Sequence, residues 1–323
     1  MSLKKSSVGA LLALAAGVAI AWGVSSNTLL SLFTQALIYA VFALGVGVLL
    51  KQNGMVSFGH ALYFGGTSYL IGILLQMQLM PAELVIALAL LVMALAAFGV
   101  GLVIVRVPGV AFSMLTLAIG QMFFLSASRA RGVTGGADGM NIDWPSRLFG
   151  VPVSQLLKPA SLFLICWITL VVVMLLLSWL MRTRFGALTE AVRDNEERAR
   201  FIGITTLWPR AAVYALSALV TSVAGVLSAL NTGFVSPESL HWSLSGVALM
   251  MVVVGGFKAL WGPAVGAVVY FMFKDILGEH ATHWMTIFGV ALITVIVFSP
   301  TGVAGLFDRW VLGKKPSVKV GGH

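Results

Sequence analysis

The polar side chains that interrupt this apolar chain fall into two groups with different chemistry. Ser57, His60, Thr67, Thr116, Gln121, Asn231 and Ser236 lie inside or beside long hydrophobic runs. Hydroxyls, amides and an imidazole in such surroundings can meet the head group of a polar solute that hydrocarbon would otherwise reject. Phe58, Met114 and Phe234 are candidate apolar wall residues beside them. Taken singly, each polar residue is also explained by an interhelical hydrogen bond, so the seven carry weight only as a set. The second group is the run RTRFGALTEAVRDNEERARFIGITTLWPR, residues 182–210. Glu190 with Arg193, Asp194 with Arg198 and Glu196 with Arg200 stand three or four residues apart, the spacing at which helical neighbours pair. Leu188, Ala191, Val192, Asn195, Ala199 and Ile202 recur on one face, which predicts a single amphipathic helix. A solvated charged face and a docking helix for a cytosolic partner both fit that pattern.

Other chemistry is missing. No G-x-x-x-x-G-K-[ST] loop occurs, so ATP hydrolysis by that route is excluded. No Ser, His and acid arrangement forms a triad. Glu279, His280 and His283 make a loose H-x-x-H that reads as a hydrated loop rather than a metal site, and no metal site is expected. Cys166 is the sole cysteine, which rules out an internal disulfide. Glu83, Asp275 and Glu279 all map to the ends of apolar runs, which leaves little material for an intramembrane proton relay.

The 323 residues are 59% hydrophobic and 10% charged, with a mean hydropathy of +1.00. Soluble domains carry about 25% charged residues, so an integral membrane protein is expected. The net charge of +9 calls for no nucleic acid, because the basic residues concentrate in loops on one side. Apolar runs predict helices over 8–24, 28–50, 55–78, 83–105, 109–128, 160–181, 210–230, 243–257, 259–278 and 284–300. Ten crossings place both termini on the cytoplasmic side, with an uncleaved first helix. In that topology fifteen of the twenty Lys and Arg residues fall inside; Arg129, Arg131, Arg147, Lys158 and Lys274 fall outside, in accord with the positive-inside rule. The whole chain, 1–323, reads as one transmembrane domain with an external loop at 129–159, a central cytoplasmic loop at 182–209 and a basic cytoplasmic tail at 301–323.

Two stretches break the hydrophobic pattern in the same way. Gly54, Val56 and Ser57 match Gly233, Val235 and Ser236 in register, and the helices they precede would run in opposite directions, as in an inverted repeat. The glycines of VVVGGFKALWGPAVGAVVY predict a turn between two short helices near residue 258. Thr134 to Gly139 forms a turn cluster in the external loop, which fits a shield, a gate or a receptor for an extracytoplasmic partner.

The ordered series NGMVSFGHALYFGGTSYLIG, RVPGVAFSMLTLAIGQM, TGGADGM, RFGALTEAVRDNEERARFIGI and VSPESLHWSLSGVALMMVVVGGFKALWGPAVGA resembles the LivM-type membrane subunit of bacterial branched-chain amino acid ABC importers. The similarity runs over roughly residues 30–305. It implies a permease of the bacterial inner membrane that translocates leucine, isoleucine, valine or related hydrophobic amino acids. The implied partners are a related second permease subunit, two cytosolic ATPases and a periplasmic substrate-binding protein. No cofactor belongs to this chain, since ATP and magnesium would be used by the ATPases, and no enzyme activity of its own is implied. Glu190, Ala191 and Gly203 echo the acidic, small-residue, glycine pattern of ABC coupling loops, at a wider spacing than the compact E-A-A-x-x-x-G form. Arg193, Asp194 and Glu197 share that stretch as candidate ATPase contacts. The fold implied is an all-α polytopic bundle similar to the membrane domain of the vitamin B12 importer. Urea, amides or aromatic acids in the same importer class are alternative substrates, and a self-sufficient secondary transporter is the alternative of a different class.

Overall fold

The computed structural model describes residues 3–24, 26–107, 109–278, 284–298 and 302–305. Glu279, His280 and His283, and the tail beyond residue 305, lie outside them. The principal helices are α1 (Leu3–Gly23), α2 (Asn27–Asn53), α3 (His60–Gln76), α4 (Ala82–Ile104) and α5 (Val110–Arg129). The loop 129–159 carries two single turns, α6 (Arg131–Thr134) and α7 (Val153–Leu156). The second half contains α8 (Pro159–Met181), α9 (Arg184–Asp194), α10 (Glu196–Phe201), α11 (Leu207–Thr232), α12 (Trp242–Gly255), α13 (Gly262–Gly278) and α14 (Trp284–Phe298). Each apolar run thus forms a helix, and among the described residues five of the helices are long and apolar enough to cross a membrane: α2, α4, α5, α8 and α11. The turn expected near residue 258 separates α12 from α13.

The fold is helical apart from two two-residue pairings: β1 (Met140–Asn141) pairs with β4 (Phe234–Val235), and β2 (Arg147–Leu148) with β3 (Val151–Pro152), both antiparallel. One expectation is corrected. The central loop is not one amphipathic helix. Asn195 takes an extended conformation (φ −158°, ψ 98°) and its Oδ1 accepts from the Arg198 N–H at 2.8 Å, starting α10 afresh. A side chain that caps a helix competes with continuing one. The break takes Arg198 off the face of Asp194, which pairs instead with its neighbour Arg193 at 2.6 Å. The other expected pairs, Glu190 with Arg193 (3.5 Å) and Glu196 with Arg200 (2.7 Å), form. Along the expected stripe Val192 and Ala199 are buried, whereas Ala191, Asn195 and Ile202 are exposed.

α2 and α11 pack against each other at the centre and are the most buried of the five long spans. They run antiparallel, with Gly45 against Ser217 and Thr221 and Asn53 against Arg210. Small residues set the approach: a Cβ on Gly45 would lie 2.5 Å from Thr221 Oγ1, and one on Gly225 would strike the Phe64 carbonyl. Helices in lipid associate through such close packing, because a hydrophobic drive between them is lacking. Around this pair the packing is reciprocal: α3 and α4 lie on α11, while α12 and α13 lie on α2. α2 ends at Gly54 (φ 66°) and α11 at Gly233 (φ 61°), both in the left-handed region that glycine enters without a Cβ clash. The matched Gly-x-Val-Ser sequences therefore mark two breaks at opposite ends of the central pair.

Candidate functional site: a broken helix and the loop beneath it

Between α2 and α3 the segment 54–59 leaves the helical ladder, with only the Gly54 N–H (to Leu50) and the Gly59 carbonyl (from Leu62) still bonded to the flanking helices, yet Met55, Ser57 and Gly59 are buried. Backbone groups away from water must find partners, so the surrounding hydroxyls have a defined task. Ser113 Oγ donates to the Val56 carbonyl at 2.7 Å, and the Phe58 N–H donates to Thr116 Oγ1 at 3.2 Å. The Gly59 N–H donates to Ser57 Oγ at 3.3 Å, and the Ala61 N–H to Ser245 Oγ at 2.8 Å. Gly59 rests directly on α5, where a Cβ would lie 2.5 Å from the Thr116 carbonyl oxygen.

His60 closes the same group at 0% exposure. Its Nε2 is 2.6 Å from Ser217 Oγ and its Nδ1 is 2.8 Å from Ser57 Oγ. Ser217 gives its own proton to the Gly45 carbonyl at 2.6 Å. It can therefore only accept from His60, which assigns the proton to Nε2 and leaves Nδ1 to accept from Ser57. Tyr63 and Tyr214 stand edge-on to the imidazole and share a hydroxyl contact of 3.2 Å.

Of the seven intramembrane candidates, Ser57, His60 and Thr116 are thus brought together. Thr67 is buried elsewhere on α3, donating to the Tyr63 carbonyl at 2.6 Å beside Gly225. Asn231 and Ser236 are half-buried around the second break, where Ser236 accepts at its carbonyl from Ser239 Oγ at 2.7 Å. Gln121 is half-buried on α5, and its Oε1 is one of three buried side-chain atoms without a partner among the described residues. Sequence reasoning passed over Ser113, Tyr214, Ser217 and Ser245. The signal for part of this set was present: Tyr214, Ser217, Thr221 and Gly225 recur every three or four residues on a mainly apolar helix.

The central loop lies against the end of α2. Thr189 Oγ1 donates to Gln52 Oε1 at 2.7 Å, both side chains being buried. An Arg193 guanidinium N–H donates to the Lys51 carbonyl, and Asn53 Nδ2 donates to the Arg210 carbonyl at 3.0 Å. Glu196 joins α10 to α11, with Arg210 at 2.5 Å, Arg200 at 2.7 Å and the Thr206 hydroxyl at 2.9 Å. Partial burial pushes the Glu196 carboxyl up, but the Thr206 hydrogen bond and the Arg210 and Arg200 charges outweigh it and hold the pKa below the ordinary 4.5. Glu190, Ala191, Asp194, Glu197 and Gly203 are exposed on the outside of the loop, whereas Arg193 turns inward to α2. Beside them Phe201 is 90% and Ile202 72% exposed, an apolar tip ahead of Gly203. Phe201 lies off the expected apolar stripe, and its exposure follows from the break at Asn195 that starts α10 afresh.

Broken backbone satisfied inside a bundle of apolar spans, with a structured polar loop beneath it, is the build of a membrane permease. The chain belongs to the family of permease components of branched-chain amino acid transport systems, whose pattern it matches over residues 28–298. It is similar to the high-affinity branched-chain amino acid transport system permease protein LivM of Salmonella typhimurium, at 24% identity over 88% of this chain and 72% of that protein. The LivM protein of Escherichia coli K12 gives 24% identity over the same shares. The autoinducer 2 import system permease protein LsrC of Salmonella paratyphi B is 28% identical over 85% of this chain and 78% of its own length. No solved structure matches the chain.

Proposed function

We propose that this chain is the membrane-spanning permease subunit of an ATP-driven importer that moves leucine, isoleucine, valine or related hydrophobic amino acids into the cytoplasm. The observation that carries the coupling part is the two-faced central loop: its inner face is bound to α2 and α11, and its outer face presents Glu190, Ala191, Asp194, Glu197 and the Phe201 tip. A loop held this way can receive a cytosolic ATPase on one side and move helices on the other. The substrate is taken from the LivM relatives; the autoinducer 2 permease LsrC keeps a different small solute in the same importer class as the second reading.

The rest of the assembly is part of the same reading. Ten crossings, one transmembrane domain, cytoplasmic termini and an architecture like that of the vitamin B12 importer's membrane domain fit the basic central loop and the helix order. A second permease subunit would cover the exposed sides of α4 and α5, two ATPases would dock at the central loops, and a periplasmic binding protein would deliver solute to the external loop. An amino acid zwitterion needs polar partners on its way through hydrocarbon. Gln121, with an unmet acceptor on α5, is the best placed of the seven candidates to receive its ammonium group. Asn231 and Ser236 stand at the external mouth, and the Ser57, His60 and Thr116 group shapes the wall without an open valence.

The test is uptake of radiolabelled leucine by proteoliposomes holding both permeases, the ATPases and the binding protein. Uptake is expected to require ATP and every component. Leucine entry with this chain alone would contradict the importer reading, and stimulated ATP hydrolysis without leucine entry would transfer it to another solute.

A further inference from the structure

Any displacement of the central loop must reach the transport helices through specific contacts, and the structure offers few. Glu196 ties α10 to the first turn of α11, but that carboxylate is 27% exposed and open to screening by solvent. The link from α9 to α2 is of another kind. Gln52 and Thr189 are 2% and 1% exposed, so their 2.7 Å hydrogen bond is made without competition from water. Arg193 holds the neighbouring Lys51 carbonyl, and Asn53 fastens the same helix end to the Arg210 carbonyl. α9, α2 and the start of α11 are thereby joined at the residue immediately before Gly54.

The segment that begins at Gly54 is tied to its neighbours by side chains rather than by a helical ladder, so a shift of the α2 end is passed on through those side chains. Residues 55–58 lie outside the helical ladder, and their side-chain anchors lie largely on α5: Ser113 on the Val56 carbonyl, Thr116 on the Phe58 N–H. Gly59 presses on the Thr116 backbone. α5 is among the least buried of the long spans, so few intramolecular contacts oppose its movement.

We infer that Gln52 and Asn53 are positioning residues that deliver movement of the central loop to the broken segment 54–59, and through Ser113 and Thr116 to α5. The inference rests on the central loop being the ATPase dock. The broken segment is then the transmission element of the permease, and its hydroxyl partners are the teeth that engage α5.

The experiment uses the whole assembly with nitroxide labels at Met114→Cys on α5 and Ile168→Cys on α8, both exposed, the native Cys166 being buried and inert to the label. ATPase binding to the parent assembly is measured first, and its absence would overturn the docking reading and this inference with it. With the ATPase bound, a non-hydrolysable ATP analogue is expected to shift the label distance in the parent. The double variant Gln52→Leu, Asn53→Leu is expected to lose most of that shift while hydrolysing ATP at near-parental rate, with leucine moved per ATP down roughly tenfold, within the usual range of coupling energies. Gln52→Glu, whose carboxylate still accepts from Thr189, is expected to keep the shift, which separates coupling from simple packing. An undiminished shift in the double variant would overturn the inference, as would loss of ATP hydrolysis in step with the shift, or failure of Gln52→Glu to preserve it.

Discussion

The two breaks, Gly54–Gly59 after α2 and Gly233–His241 after α11, start from the same Gly-x-Val-Ser sequence and end differently. The first is closed on every side: hydroxyls from α5, α11 and α12 engage it or the adjoining first turn of α3, and the central loop grips the helix before it. The second pairs by two residues with the 129–159 loop and leaves Phe234, Glu238 and Trp242 exposed. His60 begins its helix with both nitrogens engaged, whereas the half-buried His241 caps α12 through Ser243 and stands 4.9 Å from the Phe124 ring. Where broken backbone is dry its partners must be supplied by neighbours, and rigidity is the result; at a wet rim, water does that work and the segment is free to face a ligand.

The largest difference is expected from glycine. Gly59→Ala forces a methyl into the Thr116 carbonyl and should cost about 1–3 kcal/mol in overpacking, seen as a lower unfolding temperature in detergent. Gly233→Ala meets open space and bears only the strain of φ 61°, so it should cost about 1 kcal/mol. Equal losses would remove the distinction between dry and wet breaks.

The histidines sharpen it further. His60→Ala strands the Ser57 hydroxyl proton in the interior and should destabilise by about 1–3 kcal/mol, while His241→Ala removes a cap worth about 1 kcal/mol.

The apolar helices were legible because each is a run of hydrophobic residues, five of them, among the described residues, of spanning length, and both breaks were legible as glycines among Ser and His. The closure of the first break was not. Ser113 and Thr116 stand more than fifty positions from their backbone partners, and Ser217 lies 157 positions from His60. Nothing local distinguishes a hydroxyl that serves a neighbour's backbone from one that serves a solute. The Asn195 break escaped notice because charge spacing continues through it, and Gln52 because a glutamine at a helix end ordinarily faces water.

Smaller effects are expected at the central loop, by which only the first break is gripped. The folded pKa of Glu196 lies below its ordinary value, so its stabilisation is complete above about pH 4.5 and is lost as pH falls through the lowered folded value. Hydrogen exchange in α10 should accelerate on acidification within that window, and Glu196→Gln should abolish the acid step. Glu190→Ala should change stability by less than about 0.5 kcal/mol, since its pair with Arg193 is an exposed one at 3.5 Å. Any sizeable effect of that variant on ATP-driven uptake would then report docking.

The most direct measurement is a short bifunctional cross-link between Gln52→Cys and Thr189→Cys in the reconstituted importer, with the buried Cys166 left in place. If the central loop and the end of α2 move as one body, the unlinked double variant, which lacks the Gln52–Thr189 bond, moves less leucine per ATP than the parent, and the link restores it. Parental transport by the unlinked variant, or a further loss of uptake on linking, would show that the two part during the cycle and would contradict transmission through the first break.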